Sequence, residues 1–117
     1  MNEKEKTYCK MFGKALRDLR VAKTGKSSIL FAYENDIPKS TLTRIERGEN
    51  EAQLITLKKI AEAFGWSMEE LFKHIEENIP NDFKISVNMS IIYKNSEHKN
   101  WEKLIHIAII NTLVKNW

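Results

Sequence analysis

The chain has 117 residues, of which 42% are hydrophobic and 30% are charged, and its formal net charge at pH 7 is +3. This size and composition fit one small globular domain with or without an extension. The single cysteine, Cys9, excludes an intramolecular disulfide, and no apolar run approaches the roughly 20 residues of a membrane-spanning helix. The N-terminus does not read as a signal peptide, so we expect a cytoplasmic protein.

Positive charge is concentrated in the first half of the chain. Residues 1–50 hold 11 Lys and Arg against 7 Asp and Glu, whereas residues 51–117 hold 8 against 9. This balance favours an anionic partner for the first half.

Two helices are predicted before residue 36. The first covers about residues 5–23, where the helical spacing i, i+3, i+4, i+7 is occupied by Phe12, Ala15, Leu16 and Leu19. Ser27 or Ser28 can cap a short second helix over about residues 28–35.

Residues 37–50, IPKSTLTRIERGEN, predict a third helix that begins near Pro38. Leu42 and Ile45 share its inner face, and Gly48 is the residue expected just after a last turn. The outward-facing residues are hydrogen-bond donors, two of them cationic: Lys39, Ser40, Thr43 and Arg44. Such a helix is either a solvated surface helix or one that contacts an anionic partner.

Two more helices complete an all-α unit over residues 1–78. The fourth ends at Gly65, after the helically spaced residues Leu57, Ile60, Ala61 and Phe64. The S-x-x-E pattern of Ser67 and Glu70 is a capping box that begins a fifth helix, running to about Asn78.

Residues 79–117 are predicted to form an extension that makes the protein a dimer. Apolar and polar residues alternate from Phe83 to Tyr93, as is typical of a strand, but no other run offers a partner. The segment therefore pairs with a copy of itself in another subunit or is not a strand. A last helix is predicted from Trp101 to Trp117, with apolar residues on two nearly opposite sides. The expected dimerisation residues are Ile85, Val87, Met89, Ile91, Trp101, Ile110, Leu113 and Trp117.

The run GKSSILFAYENDIPKSTLTRIERGEN, followed by LKKIAEAFGWSMEELF, resembles the Cro/C1-type (Xre) helix-turn-helix family of DNA-binding regulators over roughly residues 10–74. The resemblance implies a mainly α, five-helix lambda-repressor-like domain whose third helix lies in the major groove. The resemblance also implies that base edges are faced by four residues of this helix, Lys39, Ser40, Thr43 and Arg44. It implies in addition that Ser28, Thr41 and Arg47 lie near phosphates.

The chemistry of the residues agrees with these implied roles. Arg44 or Lys39 can donate to guanine O6 and N7. Lys26 and the hydroxyls of Ser27 and Ser28 can reach a phosphate at the start of the second helix.

Family members commonly pair a glutamate that matches Glu46 with an arginine late in helix one, which here is Arg20. The resemblance therefore implies a structural brace for the third helix. The sequence departs from the family pattern at three positions. Ser28 stands where glutamine is usual, Asp36 where a turn glycine is usual, and Pro38 where a hydroxyl cap is usual.

Other functions are poorly supported by the sequence. Gly25-Lys26-Ser27 resembles the end of a P-loop, but Arg20 stands where the first glycine is required. Cys9 and the three histidines lack metal-ligand spacing, and no catalytic set has an informative spacing. We therefore expect no enzyme activity, metal or cofactor.

Two functions remain in competition. We expect a repressor that binds a two-fold symmetric operator as a homodimer. The alternative is an antitoxin-like module in which residues 79–117 bind a separate protein.

Overall fold

The computed structural model describes residues 1–86 and 107–113. The chain divides into two compact units, Met1–Phe83 and Lys84–Trp117. The first unit contains five helices, which are α1 (Glu3–Thr24), α2 (Ser28–Glu34), α3 (Lys39–Glu46), α4 (Leu54–Ala63) and α5 (Met68–Glu76). The predicted mainly α fold is therefore confirmed.

A single hydrophobic core stabilises the five helices of the first unit. Every helix contributes at least one of the largest fully buried side chains of this core, which are Leu16, Phe31, Leu42, Ile60, Leu71 and Ile75. Helices α2 to α5 have 7 to 10 residues, and isolated helices below about 12–15 residues are marginal in water. Tertiary packing therefore decides whether α2 to α5 form, because each buried side chain contributes about 1.5–3 kcal/mol.

Two glycines bring the backbone of α1 against the C-terminal end of α3. A Cβ atom on Gly13 would lie 2.7 Å from the Glu46 carbonyl oxygen, and closer still to that of Ile45. A Cβ atom on Gly48 would lie 2.7 Å from the Lys10 backbone nitrogen, and Gly48 has a φ of +73°. Larger residues at either position would push α3 away from α1.

The turn between α2 and α3 uses the predicted residues. Asp36 adopts a φ of 53°, so it takes the left-handed conformation expected of the residue that replaces a turn glycine. Lys59 of α4 donates to the Asp36 carbonyl oxygen at 2.7 Å. Pro38 caps α3 without a side-chain hydrogen bond, because the proline side chain carries no acceptor. The predicted capping box of Ser67 and Glu70 is present at the start of α5.

The predicted strand over residues 83–93 is wrong in the part that the structure describes. Residues 83–86 are irregular, and residues 87–93 lie outside the described residues. A strand requires a neighbour to pair its backbone groups, and the described residues include no strand. Phe83 instead stacks on Tyr8 of α1, with 6.4 Å between ring centroids.

Only part of the predicted dimerisation set can be located. Residues 107–113 are helical, within the predicted last helix, and the side chains of Ile110 and Leu113 are exposed. Ile85 is also exposed. The remaining members lie outside the described residues, namely Val87, Met89, Ile91, Trp101 and Trp117.

Candidate nucleic-acid interface

The outward side of α3 forms a concavity of about 310 Å³, which we call the α3 surface. Its lining residues are Lys39, Ser40, Thr43, Arg44, Arg47 and Glu49. The four residues predicted to read bases therefore lie together. They face outward because Leu42 and Ile45, three residues apart, are buried on the opposite side of the helix.

The α3 surface combines three cations with one carboxylate. Lys39 and Arg44 form no ion pair with any other described residue. The Arg47 Nη1 atom lies 3.9 Å from Glu49 Oε1, and both side chains are more than half exposed. A surface with unpaired cations and short hydroxyls suits an anionic partner that offers hydrogen-bond acceptors.

Glu49 joins this surface because α3 ends in a left-handed turn. The Gly48 N–H donates to the Ile45 carbonyl at 3.0 Å, and the Glu49 N–H donates to the Arg44 carbonyl at 2.9 Å. These two bonds form a Schellman motif, which turns the chain back beside the last turn of the helix. The sequence analysis missed Glu49 as a site residue, although Gly48 already indicated such a turn.

A buried ion pair holds the inner side of α3. Arg20 Nε and Nη2 donate to the two carboxylate oxygens of Glu46 at 2.7 and 3.0 Å, and each side chain is only 7% exposed. The third nitrogen, Nη1, donates to the Lys26 carbonyl at 2.6 Å. Arg20 of α1 is therefore bonded both to the end of α3 and to the segment before α2.

The residues predicted to contact phosphates are more dispersed. Arg47 lines the α3 surface, whereas Lys26, Ser27, Ser28 and Thr41 do not. The Ser27 hydroxyl accepts a hydrogen bond from the Leu30 N–H at 3.2 Å and so caps α2. The Lys26 ammonium group forms an ion pair with Glu34. A phosphate bound at Lys26 would have to replace or share that carboxylate.

Two groups on α1 have raised pKa values. Burial, followed by the hydrogen bond that its hydroxyl donates to Glu76, raises the pKa of Tyr8 to about 12. Burial, followed by the negative charges of Glu51 and Glu5, raises the pKa of the Cys9 thiol. Both groups therefore favour their neutral forms, and neither lines the α3 surface.

Within residues 1–86 and 107–113 no group of three His, Cys, Asp or Glu side chains could hold a metal ion. None of the helices in these ranges is long and apolar enough to cross a membrane.

The part of the chain that contains α3 is similar to known proteins. A family model described as helix-turn-helix matches residues 16–71. The control protein C.MunI of a Mycoplasma species is 36% identical over 66 residues, which are 56% of this chain and 89% of that protein. The control protein C.BamHI of Bacillus amyloliquefaciens is 31% identical over 61 residues, which are 52% of this chain and 75% of that protein.

Proposed function

The chain belongs to the Cro/C1-type helix-turn-helix family of DNA-binding transcriptional regulators, and from this premise we propose how it engages DNA. A homodimer binds a two-fold symmetric operator, with α3 of each subunit in the major groove. Occupation of the operator represses transcription from the promoter that contains it.

The observation that carries this proposal is the clustering on the α3 surface. Lys39, Ser40, Thr43 and Arg44 line one concavity on one exposed side of α3. An α-helix with its side chains is about 10–12 Å in diameter and so fits the major groove, which is about 12 Å wide. Arg44 or Lys39 donates to guanine O6 and N7, while the short hydroxyls allow the helix to lie close to the base edges.

Phosphate contacts fix the position of α3 in this proposal. Arg47 contacts the backbone beside the α3 surface, and Thr41 and Ser28 donate their hydroxyl protons to phosphates. The Ser27 hydroxyl keeps a proton to donate, because the α2 cap uses it only as an acceptor. Lys26 exchanges Glu34 for a phosphate, which a pair with both side chains about 40% exposed can do at little energetic cost.

Dimerisation through the C-terminal extension is supported by its exposed apolar side chains. Over residues 107–113 the exposed apolar residues are Ile107, Ile109, Ile110 and Leu113. Burying such side chains against a second copy removes them from water. The dimer then presents two α3 surfaces to half-sites about one helical turn apart.

Fluorescence-anisotropy titration tests the proposal, with duplex DNA from just upstream of the protein's own gene and a scrambled duplex compared at several salt concentrations. We expect tighter binding to the upstream duplex and an affinity that falls steeply with salt for both. Light scattering during purification measures the assembly. A homodimer without other chains is expected, whereas a co-purifying small protein together with no DNA binding would support the antitoxin-like alternative.

A further inference from the structure

Glu49 is the one acidic side chain among the described residues that line the α3 surface. On a surface that meets DNA, a carboxylate is repelled by every phosphate. Its presence therefore weakens binding in general unless it gains a specific partner on the bases.

The backbone around Glu49 is fixed before any ligand arrives. The Glu49 N–H is bonded to the Arg44 carbonyl at 2.9 Å, and Gly48 is packed against the backbone of Lys10. The Glu49 side chain is thus presented from a rigid turn beside the last turn of α3.

The carboxylate also keeps its hydrogen-bonding capacity. Its separation of 3.9 Å from Arg47 Nη1 is far longer than the roughly 2.7–2.9 Å of a strong charge-assisted hydrogen bond. Glu49 lines the α3 surface with about half of its side chain exposed, so its carboxylate has acceptor positions accessible to a ligand on that surface.

An acceptor without donors discriminates among bases in the major groove. Cytosine presents the N4 amino donor, guanine presents only acceptors, thymine presents O4 and a methyl group, and adenine presents a donor next to the N7 acceptor. Two carboxylate oxygens therefore match cytosine best, since none of their lone pairs then faces an acceptor on the same base.

We propose that Glu49 determines specificity by accepting a hydrogen bond from the N4 amino group of a cytosine at one position of each half-site. This assignment rests on the proposed placement of α3 in the major groove. It gives the carboxylate a function that offsets its repulsion from phosphates.

The test uses the full chain and a pool of duplexes randomised across the binding site. Wild type, Glu49→Ala, Glu49→Gln and Arg44→Ala are each taken through selection, and the enriched duplexes are titrated by fluorescence anisotropy. At one position we expect wild type to prefer cytosine by about tenfold. Glu49→Ala should lose that preference, and Glu49→Gln should shift it to adenine, because glutamine pairs with adenine N6 and N7.

Arg44→Ala is the matched control, since it should alter the preference at a different position. The assignment is overturned if Glu49→Ala keeps the wild-type base preference at every position and its affinity rises by the same factor for all duplexes. Glu49 would then only repel phosphates. If wild type enriches no sequence at all, the proposed function fails and the assignment fails with it. Thermal denaturation of each variant shows whether it is folded. If Glu49→Ala does not fold, the base preference of the isosteric Glu49→Gln tests the assignment.

Discussion

The two sides of α3 differ in almost every physical respect. On the inner side, Leu42 and Ile45 are buried. The Glu46 side chain is 7% exposed and accepts two hydrogen bonds from Arg20. On the outer side, Lys39 and Arg44 are exposed and have no ion-pair partner among the described residues. Under the proposed function, this helix of 8 residues has stabilising residues on one side and DNA-reading residues on the other. Substitutions on one side should then leave the property of the other side unchanged.

Glu46→Ala should have the largest effect on stability. It leaves the Arg20 guanidinium buried without its carboxylate, and loss of one partner of a buried pair reduces the free energy of unfolding by about 3–5 kcal/mol. Urea denaturation followed by circular dichroism measures the loss. DNA affinity should fall only in proportion to the folded fraction.

The control for Glu46→Ala replaces both partners, as Arg20→Met with Glu46→Leu. With no unpaired charge left, the double variant should be much more stable than Glu46→Ala. A Glu46→Ala loss below about 1 kcal/mol, the range of an exposed pair, would contradict the division of α3 into two sides.

Gly13→Ala should be the next most destabilising change. The added methyl group would lie 2.7 Å from the Glu46 carbonyl oxygen, and overpacking of this kind costs about 1–3 kcal/mol. Alanine gains about 1 kcal/mol in helix propensity, but backbone atoms cannot rotate away as a side chain can. We expect a lower thermal midpoint, and an unchanged or higher midpoint would show that α1 and α3 can separate freely.

Arg44→Ala should change recognition and leave stability alone. We expect the free energy of unfolding to stay within about 0.5 kcal/mol, because the side chain is exposed. The free energy of binding to the preferred duplex should become less favourable by about 1–3 kcal/mol, while that of binding to scrambled DNA changes less. Anisotropy titrations of both duplexes measure the difference.

Lys26→Ala provides the contrast to Arg44→Ala. A residue that contacts only phosphate should weaken binding to all duplexes alike and make the salt dependence shallower by about one counterion. Equal losses on both duplexes for Arg44→Ala would remove Arg44 from the base-reading residues.

Tyr8→Phe changes a residue of the first unit that does not line the α3 surface, and it should have the smallest effect on stability. Folding raises the pKa of Tyr8 from 10.0 to about 12, so the folded chain retains a proton that the unfolded chain loses. The resulting stabilisation is complete below pH 10 and is lost as the pH rises toward 12. Wild type should therefore lose stability more steeply than Tyr8→Phe across this window in thermal denaturation, and parallel curves would show that Tyr8 does not contribute.

Local patterns predicted most of the fold. The apolar spacing and caps identified all five helices, and Asp36 and Pro38 behaved as their backbone preferences require. Helix α4 begins at Leu54, earlier than the spacing from Leu57 indicates, because its first two apolar residues are exposed and carry no periodic pattern. Helix α1 begins at Glu3, where the capping box of Asn2 and Glu5 was present in the sequence but overlooked.

Features that depend on the relative positions of helices could not be predicted. The ion pair of Lys26 with Glu34, the contact of Gly13 with α3, and the hydrogen bond of Tyr8 to Glu76 each join positions that no local pattern links. Arg20 with Glu46 was found only because the family resemblance supplied the pair. The strand prediction failed over residues 83–86 for the same reason. An alternating pattern does not show whether a second strand lies beside it to pair its backbone groups.

The stacking of Phe83 on Tyr8 has a mechanical consequence. Tyr8 belongs to α1, which also carries Gly13 and Arg20, the two residues that hold the end of α3. A force applied to the chain beyond residue 83 therefore acts on two helices of the first unit, on α5 through the backbone and on α1 through the ring stack.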